Sequence, residues 1–393
     1  MEIAQEHGDL SPSDASGGTV ALVKLICEIG PDVAEISRRL GQHKETVRYR
    51  YKQKVVNNGF SVQAIPNYGA LGLKRVVMKV RVAEQYSEMA QKLFAAMSDL
   101  CYVVAYAATM PDGEYLLHAA VPVEFDAEFR GMMSKLADLG IFDSIDFFRC
   151  DRFRVAQMRA DSFDFEHSAW DFDWGKPLRL DGEAVRAAVW EKQDFDKVDL
   201  LLVKELSKDG RQSLSEVQAS IKRINGVDIN YKTLVWHFAH HVVQRRLING
   251  YSIGWHGVNY RFGEEKKKLR PHGYLFVALI VKDVDEQERL SLMGTLNRLP
   301  FLWSEAVGAD YYSQLAFPVE NTNEAMEYLG RLMKPYGPRA ELHVLNQKEM
   351  LSFTIGHTLW DESRGTWAFE PLQVLGRFES LLVKLREMGI ASG

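Results

Sequence analysis

The chain repeats itself, and the repeat constrains its fold more than any other feature. Residues 119–124 (AAVPVE) return as 315–320 (LAFPVE), and Trp170 and Phe172 followed by Pro177 and Leu178 return as Trp367 and Phe369 followed by Pro371 and Leu372. Matches in the same order at a spacing of about 200 residues mark a duplicated unit of domain size, since solenoid repeats run at roughly 20–50 residues. A chain of 393 residues is therefore expected to hold several cores in two related halves.

Hydrophobic periodicity gives each half the same element order. In the first, 75–82 reads as a strand, 87–100 as an amphipathic helix, 102–108 and 114–123 as a strand pair turned at Met-Pro-Asp-Gly, 125–139 as a helix and 142–152 as a strand. The second half repeats the order at 273–281, 286–299, 301–309, 311–319, 323–333 and 340–346. Strand–helix–strand twice over predicts a ferredoxin-like antiparallel sheet with two helices on one face. Its bare face needs cover, so the two halves, as a pseudo-dimer within one chain, or two chains as a homo-oligomer, are expected to stack sheet to sheet.

A helical unit precedes each sheet. Residues 19–30, 33–40 and 44–57 read as three helices, Gly41-Gln42-His43 as the tight turn between the second and third, and Gly59-Phe60 as the start of a wing. The net charge is −5, so nucleic-acid affinity has to come from local concentration. That concentration exists: Arg38, Arg39, Lys44, Arg48, Arg50, Lys52 and Lys54 face one acid, Glu45. Cations here reach phosphates, Lys44, Arg48 and Gln42 are candidates for base edges, and Thr46 belongs to the same surface. The competing reading is a solvated basic helix in a protein-interaction module, because fold alone never proves function.

The second helical unit spans 197–206, 214–224 and 230–248, with Thr233 at the position of Thr46 and Trp236 at that of Tyr49. Its candidate DNA contacts are Lys232, Thr233, Trp236, His237, His240 and Arg245. His237, His240 and His241 invite a metal reading, but no carboxylate or Cys stands beside them in sequence, so no metal or cofactor is expected. The run 264–270 reads as a solvated linker.

The expected fold class is thus α+β, with two winged helix-turn-helix domains (19–67 and 195–262) alternating with two ferredoxin-like domains (68–155 and 263–352). A flexible tail (1–18), an aromatic-rich connector (156–194) and a C-terminal extension (353–393) with a packing helix at 371–388 complete the chain. That helix faintly echoes 195–206 and reads as the remnant of a further repeat. The isolated cysteines Cys27, Cys101 and Cys150 suggest neither a disulfide framework nor a zinc ribbon, and no stretch has the roughly 20 apolar residues of a membrane span. A cytoplasmic protein with no membrane partner is expected.

Glu35-Ile-Ser-Arg-Arg-Leu-Gly41 with Glu45-Thr-Val-Arg-Tyr-Arg50, and 197–206 with Lys208-Asp-Gly-Arg211, resemble the helices of the Lrp/AsnC regulators of bacteria and archaea. Asp112-Gly113-Glu114-Tyr115 and Gly308-Ala-Asp310-Tyr311 stand where that family has a glycine, an acid and a tyrosine. The resemblance implies an archaeal, dimeric, sequence-specific regulator on double-stranded DNA and not an enzyme. It also implies a small-molecule effector, such as an amino acid, near Gly113, Glu114, Gly308 and Asp310. Two departures stand out: family members carry one such unit per chain, and the connector is foreign to the pattern. The same fold pair also resembles siroheme decarboxylases, an alternative that calls for His, Arg and Tyr clustered in a cavity at the sheet interface, where the sequence offers His118 alone. A sensor acting through protein partners is the third reading.

Overall fold

The computed structural model describes residues 15–110, 113–167, 169–175, 191–255 and 273–387. The run 264–270, the Pro177 and Leu178 match, residues 111–112 of the first hairpin and most of the 1–18 tail lie outside the described residues.

The first unit is α1 (Ala15–Ile29), α2 (Val33–Leu40) and α3 (Lys44–Arg50), the last running on through a π-helical turn, Tyr51–Val56. Asp32 caps α2 by accepting the Ala34 and Glu35 N–H groups at 2.9 and 3.1 Å, and Gly41, at φ 61°, ends it in the left-handed region that a side chain would strain. Then come β1 (Ser61–Pro66), β2 (Leu73–Val82), α4 (Ala90–Leu100), β3 (Val103–Met110), β4 (Glu114–Pro122), α5 (Asp126–Asp138), β5 (Phe142–Phe147), β6 (Cys150–Val155) and a two-stranded ribbon, β7 (Phe163–Asp164) and β8 (Ala169–Trp170).

The second half runs α6 (Lys197–Lys208), α7 (Leu214–Asn225), α8 (Tyr231–His237) with its own π-helical turn, β9 (Ile248–Gly254), β10 (Tyr274–Val281), α9 (Glu286–Leu296), β11 (Leu302–Gly308), β12 (Tyr311–Pro318), α10 (Thr322–Met333) and β13 (Ala340–Ser352). A second ribbon, β14 (Trp360–Asp361) and β15 (Thr366–Trp367), leads into α11 (Pro371–Glu387). Reciprocal capping boxes, Asp196 with Asp199 and Ser213 with Glu216, fix the starts of α6 and α7. No helix among the described residues is long and apolar enough to cross a membrane.

Four features depart from the sequence reading. The strands form one nine-stranded antiparallel sheet, β5-β2-β4-β3-β13-β10-β12-β11-β6, rather than two separate ones. The expected strand 340–346 extends to Ser352 as β13, which pairs with β10 along its first part and with β3 along its last. The expected strand 142–152 breaks: β5 stays beside β2, while β6 crosses to β11 of the other half. In place of a wing hairpin in each unit, β1 pairs with β9, so the two helical units share one ribbon.

The connector also belongs to the repeat. Trp170 of the first ribbon packs on Phe301 at 5.3 Å, and Trp367 of the second packs on Tyr102 at 6.0 Å, each ribbon reaching the other half's sheet. Such reciprocal exchange is what a two-fold relation demands. The sheet doubles back on itself: β4 and β12 are four strands apart, about 19 Å in a flat sheet, yet His118 Nε2 lies 2.9 Å from the Tyr312 hydroxyl.

Candidate functional site

A cavity of about 1580 Å³ lies between the doubled sheet and the helical units, lined by β1, β3, β4 and β6, by α6 and α7, and by residues 350–358. Pockets for drug-sized ligands run to roughly 300–1,000 Å³, so this one is far roomier than an amino acid needs. Tyr68, Tyr106, Phe153, Tyr274, Trp303 and Phe353 give it broad aromatic walls.

Its polar groups come from adjacent strands. β2 and β4 pair with Val77 opposite His118, and Arg75 lies two residues along on the same face. The Arg75 guanidinium is held between the Tyr68 ring at 4.8 Å and the Phe153 ring at 4.3 Å, and donates to the Tyr68 hydroxyl at 3.0 Å. Its Nε, like His118 Nδ1, is buried with no hydrogen-bond partner. Burial, reinforced by the Arg75 charge, holds the His118 pKa well below the ordinary imidazole range, so the ring is neutral. Burial pushes the Tyr312 phenol well up, which keeps it protonated behind the ring.

The opposite wall mixes cations, Lys204, Lys208, Arg211 and Arg223, with the acids Glu205, Asp209 and Glu216. Lys208 pairs with buried Glu205 at 2.6 Å and Arg211 with Asp209 at 2.7 Å. Lys204 is buried, and burial together with Lys208 lowers its pKa. His357, whose Nε2 meets the Asn225 amide at 2.8 Å, is brought to about 4 by burial and by Lys204, Lys197 and Lys208. A neutral imidazole and a fixed guanidinium thus face a wall of mixed charge, in which Lys204 and Arg223 stand beside the paired Lys208 and Arg211.

Sequence reading found His118 but not Arg75, Tyr312 or Lys204. Arg75 gave no distinct signal, because β2 also carries Lys74, Lys79 and Arg81, and only the pairing of β2 with β4 puts it on the face of His118. Tyr312 is out of reach of any local pattern, being 194 residues away.

The structure divides the other expected site residues. Arg38 and Arg39 are tied to Glu35, Arg39 also to Glu28, and Lys54 is tied to Glu166 at 2.7 Å. Arg50 donates to Gln42 at 2.8 Å, and Arg48 pairs with Glu45. Lys44, Thr46, Arg48, Tyr49 and Lys52 remain exposed on the outer face of α3 and its continuation. In the second unit, Lys232, Thr233, Trp236 and His240 are exposed, and Arg245 donates to the Asp194 carbonyl. His237 is not on that face: it is buried against Asp199 at 2.8 Å, as is His241. The expectation that no carboxylate stands beside these histidines is therefore corrected, because packing of α8 on α6 brings Asp199 from 38 residues away.

The residues named for an effector sit elsewhere. Gly113, at φ 94°, turns the first hairpin, and Glu114 pairs with Arg81 at 2.8 Å. Asp310 accepts from the Arg149 backbone and guanidinium and from the Asp283 N–H. None of Gly113, Glu114, Gly308 and Asp310 lines the cavity.

No protein-family profile and no curated protein sequence matches the chain. Among solved structures, it is similar to the siroheme decarboxylase NirDL, with a TM-score of 0.54 at 10% identity over 92% of this chain and 99% of that one. The same enzyme in co-complex with an iron-uroporphyrin III analogue gives a TM-score of 0.51 at 11% identity, over 86% of this chain and 93% of the other. AsnC of E. coli aligns with 33% of this chain and 88% of its own, at 13% identity and a TM-score of 0.26. The architecture matched over nearly the whole chain is thus that of an enzyme, and this overturns the expectation of a non-enzyme at the level of fold.

Proposed function

We propose that the chain binds an iron tetrapyrrole in the cavity and removes carboxylate groups from it, as a siroheme-decarboxylase-like enzyme. The observation that carries this reading is the pairing of Arg75 with neutral His118, each with a buried unpartnered nitrogen, on one face of an aromatic-walled cavity of about 1580 Å³. Tyr68 and Phe153, edge to face, flank the guanidinium at 4.8 and 4.3 Å, and arginine is suited to bidentate carboxylate recognition. Lys204, buried in the facing wall, is the candidate for a further carboxylate.

In a decarboxylation the bond to the carboxylate carbon breaks, CO2 departs, and the electron pair left behind takes up a proton. His118 is placed to relay that proton while staying neutral: its unpartnered Nδ1–H gives a proton up as Nε2 takes one from the Tyr312 hydroxyl 2.9 Å away, and solvent returns a proton to the phenol.

The test is a titration of the full chain with siroheme, followed by mass spectrometry of the extracted pigment. The expected result is a stoichiometric shift of the pigment's absorption and a product lighter by CO2. A chain that binds no iron tetrapyrrole at micromolar concentration sinks the reading.

A second reading rests on a separate surface. Lys44, Thr46, Arg48, Tyr49 and Lys52 stay exposed on α3, the face that enters a major groove in helix-turn-helix proteins. DNA binding by this face predicts a preference for particular fragments that weakens steeply with salt. Equal, weak binding to every fragment in a salt series counts against it.

A further inference from the structure

The three histidines of the second helical unit do not share a role. His240 is exposed, stacks on Trp236 at 5.1 Å and meets that residue's carbonyl through Nδ1 at 3.0 Å. His237 and His241, one turn apart, are buried, and each directs Nδ1 at a different oxygen of fully buried Asp199, both at 2.8 Å. Asp196, at the start of α6, has Oδ1 3.7 Å from His237 Nδ1. The four candidate ligand atoms lie within 4.8 Å of one another.

We propose that Asp196, Asp199, His237 and His241 form a divalent-metal site, with zinc as the fitting ion. The donor set is two imidazole nitrogens and two carboxylate oxygens, which zinc accepts in a tetrahedron with bonds of about 2.0–2.2 Å. Such bonds place neighbouring ligand atoms about 3.3 Å apart. The His237–Asp199, His241–Asp199 and His237–Asp196 separations are 2.8, 2.8 and 3.7 Å, the first two to different Asp199 oxygens, and the set spreads to no more than 4.8 Å, so closing it on one ion takes side-chain shifts of up to roughly 1.5 Å.

Charge favours the same assignment. A carboxylate with no exposed surface has to be compensated. Asp199 Oδ2 also accepts the Asp196 N–H at 2.9 Å, and His241 Nε2 is buried with no hydrogen-bond partner. Two neutral imidazoles on a dication leave no unpaired charge inside. In the first unit the matching positions hold Arg50 and Lys54, so the site belongs to the second unit alone.

The ion would pin α8 to α6, whose other end carries Lys204 and Lys208 into the cavity wall. It does not depend on what the cavity binds. The test uses the full chain, stripped with a chelator and titrated with zinc against a chromophoric competitor. One zinc per chain is expected, with a raised Tm, and cobalt in its place should give the visible bands of a tetrahedral site. His241→Gln and Asp199→Asn should each weaken binding by at least the roughly 10–100-fold that outer-shell partners cost, while His240→Ala leaves the stoichiometry at one. Because Asp199→Asn risks misfolding, His241→Gln is compared with the parent by circular dichroism first. A wild-type chain that takes up no zinc, or zinc binding unchanged in a His237→Gln, His241→Gln double variant, overturns the site in favour of a hydrogen-bonded cluster.

Discussion

At the residue scale, Arg75 and His118 answer to different tests. Arg75→Ala removes charge-assisted hydrogen bonds, each contributing about 1.5–3 kcal/mol, so tetrapyrrole affinity should fall roughly ten- to hundred-fold, read as a shifted titration midpoint. His118→Ala should leave affinity nearly intact and slow decarboxylation by about 10²–10⁴-fold; equal losses in binding and turnover would mean that His118 only shapes the wall. Glu341 makes a separate prediction. Burial pushes its pKa up, but hydrogen bonds from Lys79, Lys282 and His343 outweigh that and bring it from 4.5 to about 2. A depressed carboxylate stabilises the fold above its unfolded pKa, and that stability drains away as pH falls from about 4.5 toward about 2. Lys79 and Lys282 belong to opposite halves, at 2.8 and 3.1 Å from Glu341. The Tm of Glu341→Gln should therefore decline less steeply with acid than that of the parent; parallel curves from about pH 5 to about pH 3 would dismiss the linkage.

At the element scale, the crossing from β5 to β6 governs how the halves join. A Cβ on Gly308 would meet the Arg149 carbonyl oxygen at 2.1 Å, so only glycine lets the strands approach there. Gly308→Ala should cost at least the roughly 1–3 kcal/mol of overpacking, because the atom in the way is backbone. Urea unfolding measures this, and an unchanged midpoint would show that the crossing is loose. The helices were legible in sequence because their signals are local: Asp32 and Gly41 bound α2, and Ser213 and Glu216 start α7. Strand positions were nearly as legible. Strand partners were not, since β13 chooses between β10 and β3 by the shape of the doubled sheet and not by its own alternation.

At the scale of the whole molecule, the shared sheet and exchanged ribbons make the halves one cooperative unit. Trp367 is buried, donates from Nε1 to the Leu71 carbonyl at 2.8 Å, and packs on Tyr102 of the first half. Trp367→Ala should cost roughly 3–5 kcal/mol, and calorimetry of the parent should show a single transition. Two resolved transitions, only one moved by the substitution, would mean that the halves unfold independently. By itself the sequence determined the order of helices and strands, the capped ends of α2 and α7 and the basic character of α3, because each is written in contacts within a few residues. Only the tertiary structure decided that the two sheets are one, that β1 and β9 pair with each other, that Asp199 stands under His237 and His241, and that Arg75 and His118 meet at a cavity with Tyr312 behind. Those arrangements join residues from 38 positions apart, Asp199 and His237, to 247, Ala105 and Ser352, and the pairing of such distant segments is settled by burial and packing over the whole chain, which no local periodicity encodes.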